Sequence, residues 1–308
     1  MQGQKNVTVF GGTGLIGSRL VGELAASGYE IQVLARNVEK TSKNSSGKIT
    51  ARALPNDPGD LSILLEGSWA VFNFSGAPIF KRWSAEYKKE IVRSRVDFTR
   101  MISNAINGCH NPPRVFVNGS ASGIYGYDSS GGEEIDESYP ASGDFWGKLV
   151  SDWEKAANEA SKAGTRVVNL RTSVVLDASG GALPEFLRIF QRGFGGPIRP
   201  GTQWFPWIHI KDEVGLSIFS AQNDSVSGPV NASAPNVPTM EEFAKELGNV
   251  IGKPARIRIP VTVLKLMMGE VASMLSNGKK VVPSKALKLG YEFKFPDLHS
   301  ALTDLLHA

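Results

Sequence analysis

Gly11, Gly14 and Gly17 repeat at G-x-x-G-x-x-G spacing in VFGGTGLIGSRL, where a β-branched run gives way to a helical pattern. Backbone without side chains at such a junction can approach a pyrophosphate closely, and the new helix offers unpaired N–H groups and the positive end of its dipole. The stretch from Gly11 to Gly17, with Gly12 and Thr13 in the turn and Leu15 and Ile16 opening the helix, is the first candidate binding site. Strand, turn and helix fall where the motif needs them, so a bare tight turn is the weaker reading. Dinucleotide choice is made at the end of the second strand, where a carboxylate would hold an adenosine 2′-OH. The sequence there is VLARN, with Arg36 and no acid. A guanidinium at that place forks onto a 2′-phosphate, with Arg19 on the first helix to assist, so the expected cofactor is NADP(H).

A second constellation, GDFWGK, sets Asp144 four residues before Lys148, downstream of the small-residue run NGSASGIYGY. Asp144 is a poor acid, because an ordinary carboxyl titrates near pKa ~3.9 and a lysine one turn away lowers it further. It suits the N-cap of a helix running through Trp153. Lys148 can hydrogen-bond ribose hydroxyls and bring positive charge to a reacting centre. The proton donor is then expected to be water, the substrate, or one of Tyr125 and Tyr127. Substrate walls are expected from Arg82 and Trp83, from Trp146, and from Trp204 and Trp207 in QWFPWIH, a set suited to a flat or anionic small molecule. His209 in that run is expected to be structural. The single cysteine, Cys109, excludes an intrachain disulfide and a cysteine-rich metal site, and no metal is expected.

These residues need a frame. NVTVF (6–10), EIQVLA (30–35), WAVFNF (69–74), RVFVNGS (114–120) and RVVNLRTSVVL (166–176) are short apolar runs with helical patterns between them, the clearest from Ser84 to about Asn107. Such alternation predicts an α/β fold, a Rossmann-type doubly wound parallel sheet, over residues 1–180. Beyond it, Gly/Pro-rich stretches separate shorter elements. They predict a smaller substrate-side lobe over 181–308, with returns to the first domain around 205–235. Thr239 and Glu242 form a capping-box pattern before MEEFAKELGNVIG. A methionine-rich pattern, VTVLKLMMGEVASMLS, is expected to fill a core.

With 41% hydrophobic and 21% charged residues the chain is an ordinary globular protein, and no run reaches the ~20 apolar residues of a membrane span. A net charge of +4, dispersed among thirty acids, argues against nucleic acid. The expected location is cytoplasmic, and the expected partner is a small molecule.

The glycine motif, together with FSGAPIFKRWS, KKEIVRSRVDFT, GDFWGKLVSDWE, LRTSVVLDASGGALP, GGPIRPGTQWFPWIHIKD, GPVNASAPN and KKVVPSKALKLGYEF, resembles the epimerase-like atypical branch of the short-chain dehydrogenase/reductase superfamily. In that family the last segment is a family-specific domain of unknown function. The resemblance covers nearly the whole chain and implies an NADP(H) site across the sheet's C-terminal edge. It implies that Ala35 and Arg36 contact the adenosine phosphate end, that Phe74 and Ser75, followed by Gly76, pass beneath the pyrophosphate and ribose, and that Glu90 and Arg95 reach the adenine side. Val175 is implied beside the nicotinamide; the serine position that active relatives use falls near Ala121, flanked by Ser122 and by Ser120, which is a cofactor-binding candidate. The superfamily's catalytic tyrosine, four residues before a lysine, aligns on Asp144, so that mechanism is absent. Two functions follow as expectations: an NADP(H)-dependent oxidoreductase or epimerase-like enzyme on a small carbonyl or sugar-like compound, or an NADP(H)-binding regulatory protein without turnover, similar to cell-division inhibitors.

Overall fold

The computed structural model describes residues 5–38, 48–127 and 132–307. Seven parallel strands form the main sheet: β1 (Asn6–Phe10), β2 (Glu30–Ala35), β3 (Ile49–Ala53), β4 (Ala70–Asn73), β5 (Val115–Ala121), β6 (Arg166–Thr172) and β7 (Gly228–Ala232), in the spatial order β7-β6-β5-β4-β1-β2-β3. The order reverses at β1, and a ligand crevice belongs outside the carboxyl ends of the strands at such a switch point. The expected doubly wound α/β fold is the observed one.

The helices that matter to the site are α1 (Leu15–Ala26), α2 (Ala85–Val92), α3 (Phe98–Asn107), α4 (Phe145–Asn158), α5 (Ile210–Gln222) and α6 (Met240–Val250). Between α2 and α3 the chain makes a π turn over Arg93–Asp97. The extra residue re-phases the helix so that Arg95 and Val96, adjacent in sequence, are both buried. One face of the sheet packs with α1 and α5, through Leu20, Leu24, Val214 and Leu216, and the other carries Leu61, Ile102 and Ile106. A separate cluster around Phe186, Phe205, Trp207 and Phe243 holds the second lobe together.

Two differences from the sequence reading have clear causes. The run 166–176 is two strands: Val174–Asp177 leaves the main sheet and pairs in parallel with Trp207–His209, because the Ser173 N–H donates to Ala232 and the Val174 N–H to Pro206. β3 is an exposed edge whose sequence, ITARA, carries little apolar signal. The methionine-rich pattern forms two short helices, Val261–Met268 and Ala272–Ser276, with Leu264 buried but Val263 and Leu266 exposed. The side chains of Met267 and Met268 lie outside the described residues, and Met274 packs against the core cluster around Trp146 and Leu149 while also lining the cleft. The capping box at Thr239 and Glu242 forms in full. Among the described residues no helix is long and apolar enough to cross a membrane.

Candidate functional site

A cleft of ≈ 300 Å³ runs along the C-terminal edge of the sheet, between the glycine turn and the second lobe. The turn is built by close backbone approach. Gly11 has φ +74°, and a Cβ there would lie 2.6 Å from the Phe74 carbonyl carbon; a Cβ on Gly17 would run into the Gly11 carbonyl. Gly14 N–H donates to Gly11 O at 2.9 Å, closing the turn beneath α1. Leu15 and Ile16 line the cleft, Gly12 is buried against Val33, and Thr13 is exposed.

Directly against the turn, Phe74, Ser75 and Gly76 line the cleft. Their path is set by a ladder that sequence reasoning missed. Asn73, Asn118 and Asn169 are register partners on β4, β5 and β6, with Asn73 Nδ2 donating to Asn118 Oδ1 (3.0 Å) and Asn118 Nδ2 to Asn169 Oδ1 (3.2 Å). Asn73 Oδ1 accepts the Ser75 N–H. The signal was present as one asparagine near the end of each apolar run, in VFNF, FVNG and VVNL.

Arg95 enters the same space from the π turn. It is only 9% exposed, its guanidinium carbon lies 5.3 Å from the Trp153 ring centre, and Nε and Nη1 have no hydrogen-bond partner among the described residues. Burial lowers its pKa to about 10. Trp146 also lines the cleft with an unpartnered indole N–H, as does Ser173 with an unpartnered hydroxyl. Buried polar groups of this kind are costly unless something pairs with them.

Several predicted residues are placed elsewhere. Lys148 is exposed and off the cleft wall. Asp144 is the N-cap of α4, accepting the Gly147 N–H at 2.7 Å, so the helix begins at Phe145 and its inward face runs through Trp146, Val150 and Trp153. Tyr125 is tied into the interior, donating to Asn231 Oδ1 (2.6 Å) and accepting from Arg171 (2.9 Å), with its pKa pushed up to about 12, chiefly by burial. Tyr127 does line the cleft, and burial and then Asp144 raise its pKa.

Trp204 lines the cleft, but Trp207 is fully buried, its indole N–H donating to Asn236 O. Trp83 stacks on Trp146 at 5.5 Å from behind, and Arg82 is exposed beside Gly269. Glu90 is paired with Arg93 at 2.7 Å and does not reach the cleft. Arg19 is engaged by Asp177 at 3.2 Å, which binds α1 to the small sheet. Ala35 and Arg36 stand at the end of β2, Arg36 exposed, while Val175 and Ser120 line the cleft. Ser120 donates to Glu154, which also holds Arg171. His209 is a buried N-cap of α5 with its pKa lowered by burial, a structural role. Among the described residues no three metal-ligating side chains cluster. Because Lys148 is off the wall, Lys148→Ala is expected to change NADPH affinity less than threefold, under ~0.7 kcal/mol, in calorimetric titration.

Residues 7–232 match the model of the NAD dependent epimerase/dehydratase family, and 259–305 match a domain of unknown function, DUF1731. The chain is 37% identical to mouse epimerase family protein SDR39U1 over 97% of its own length and 99% of the relative's. It is 36% identical to the chloroplastic SDR39U1 homologue of Arabidopsis thaliana, over 99% and 88%. The crystal structure of human SDR39U1 with NADPH superposes with a TM-score of 0.86 at 33% identity, covering 98% of this chain and 99% of that one. By these measures, and by its glycine turn and parallel sheet, the chain belongs to the NAD dependent epimerase/dehydratase family.

Proposed function

We propose that this chain is an NADP(H)-dependent oxidoreductase or epimerase-like enzyme acting on a small carbonyl or sugar-like compound. The observation that carries this reading is Arg95, a buried guanidinium with two nitrogens unpartnered among the described residues, in the wall of a cleft also lined by Leu15 and Ile16 directly after the glycine turn. A buried cation with unmet hydrogen bonds is strongly unfavourable alone and is completed by an anion. NADPH in the human relative supports the choice of anion.

The residues fit the cofactor as follows. Gly11 to Gly17 and the N-terminus of α1 hold the pyrophosphate, Arg36 forks onto the 2′-phosphate, and Phe74 to Gly76 run beneath it with Arg95. Val175 lies beside the nicotinamide, which when bound supplies or accepts hydride. Trp146 and Trp204 exclude water and hold a flat substrate between them. The Trp146 N–H, the Ser173 hydroxyl and the Tyr127 hydroxyl, kept protonated by its raised pKa, orient polar atoms of that substrate.

Arg36→Ala is expected to weaken NADPH binding roughly ten- to a hundredfold, ~1.5 to 3 kcal/mol, and to leave NADH binding almost unchanged. Equal losses for both dinucleotides in the titration would remove Arg36 from the 2′-phosphate. The second reading, a regulator without turnover, is favoured by one observation: the buried face of α4, through Trp146, Val150 and Trp153, carries no tyrosine or lysine. A panel of carbonyl compounds that never accelerates NADPH oxidation, with NADPH binding intact, would favour it. The location proposed with this reading is the cytoplasm, and the chloroplastic Arabidopsis relative supplies the alternative that fractionation would decide.

A further inference from the structure

Below the floor of the cleft lies a carboxyl group that the cofactor reading does not use. Glu213, in the first turns of α5, is fully buried, and its Oε1 accepts a hydrogen bond from the Thr172 hydroxyl at 2.8 Å. Oε2 has no partner among the described residues. Thr172 is the last residue of β6 and lines the cleft beside Ser173 and Val175. A residue of the cleft wall thus carries a hydroxyl that touches a buried carboxyl, with the Leu170 carbonyl as its other neighbour at 3.3 Å.

We infer that Glu213 and Thr172 form a two-member proton relay serving the compound bound over Thr172. The inference rests on the enzyme reading above. In the direction of carbonyl reduction, with the hydride coming from the reduced nicotinamide, the new alkoxide oxygen takes the Thr172 hydroxyl proton. Thr172 Oγ1 takes the proton of the Glu213 carboxyl, and Glu213 is left as a carboxylate that water reprotonates by the reverse path when the cleft empties. The heavy-atom geometry suits both states, because a protonated Oε1 reverses the 2.8 Å bond and turns the threonine hydrogen toward the cleft.

The surroundings keep Glu213 neutral. Burial raises its pKa to about 8, opposed by the bond to Thr172. An acid matched to neutral pH transfers protons more effectively than a phenol such as Tyr127, whose pKa is raised well above the ordinary tyrosine value. Among the described residues no cation is set against Glu213 by the elements around it. On β6, Arg171 is held by Glu154; on α1, Arg19 pairs with Asp177 and Glu23 is exposed; β5 has no titratable residue. The Val174–Asp177 strand contributes only Asp177, and His209 of the neighbouring strand lies against Asp304. On α5 itself Lys211 is bound to Asp304, while Asp212 accepts from the Lys294 and Phe295 N–H groups and from Tyr291, whose own pKa is raised by burial and then by Asp212.

A carboxyl whose pKa rises on folding contributes stability that declines as pH climbs from the ordinary carboxylate range to about 8 and is level above it. Glu213→Gln should abolish that decline. A purely structural acid would behave the same way, so the deciding readout is coupling to the cleft. Infrared difference spectra of protein labelled with carboxyl-13C glutamate should show a protonated carboxyl at neutral pH that is missing in E213Q and titrates near pH 8. Saturating NADP+, which brings a cationic nicotinamide near Thr172, should lower that midpoint by about one unit, the effect of one nearby charge. The fragment 2′-phospho-ADP-ribose, lacking nicotinamide, should leave it in place, and Thr172→Val, which keeps the charge but removes the relay's hydroxyl, should slow hydrogen–deuterium exchange of the labelled carboxyl proton at least tenfold; exchange as fast as in the wild type overturns the relay. A midpoint that ignores NADP+ while calorimetry shows it bound, or a Glu213 ionised throughout, overturns the relay and leaves the cofactor reading standing. Failure of both NADP+ and the fragment to bind overturns the cofactor reading, and the relay with it.

Discussion

Gly17→Val should weaken NADPH binding by about a hundredfold or more. A Cβ on Gly17 meets the Gly11 carbonyl, backbone against backbone, and neither side can move without opening the turn that the Gly14 N–H closes onto Gly11. Overpacking alone costs ~1 to 3 kcal/mol, and displacing the turn also removes the donors at the helix N-terminus from the pyrophosphate. Gly22→Val is the control: it lies on the same helix, and a Cβ there meets nothing within 4 Å. That variant should keep its melting temperature and its NADPH affinity. If Gly17→Val is folded by circular dichroism and binds like Gly22→Val, the turn is not the pyrophosphate site.

The second large effect is on stability. Arg171→Met should cost ~3 to 5 kcal/mol, because it strands the Glu154 carboxylate in the interior. Arg171 is the hub of that region, donating to both Glu154 oxygens at 2.9 Å, to Tyr125 and to the Glu137 carbonyl. Against a total of about 5 to 15 kcal/mol for a folded domain, this is a large fraction. It should appear as a lower urea midpoint with an unchanged slope. Adding Glu154→Leu should restore much of the loss, since removing both charges leaves none unpaired. A single-variant cost under about 1 kcal/mol would mean that the pair is solvated.

What the sequence made legible was local. The glycine turn can be read because strand, turn and helix are contiguous over Val9 to Leu20, and the N-cap of Asp144 because its partner is three residues away. The same cap contained the correction to Lys148: a helix that starts at Phe145 turns position 148 outward and 146, 150 and 153 inward. Trp204 and Trp207 are indistinguishable as residue types, and only the pairing of 207–209 with 174–177 buries one and leaves the other on the cleft wall. Arg95 was reached through family resemblance, because a π turn cannot be read from helical periodicity. Glu213 was invisible in IHIKDEVG, where it looks like one more solvated charge on a helix; its chemistry comes from burial beneath Thr172, a residue forty-one positions away.

The central claim, that this cleft takes NADPH, is tested most directly by hydrogen–deuterium exchange of the wild-type protein with and without NADPH. Slowed exchange is expected at the glycine turn from Gly11 to Ser18, at Phe74 to Gly76, around the π turn carrying Arg95, and along Thr172 to Val175, with NADH giving weaker protection at the same concentration. Protection confined to other surfaces, or none at saturating NADPH, would contradict it.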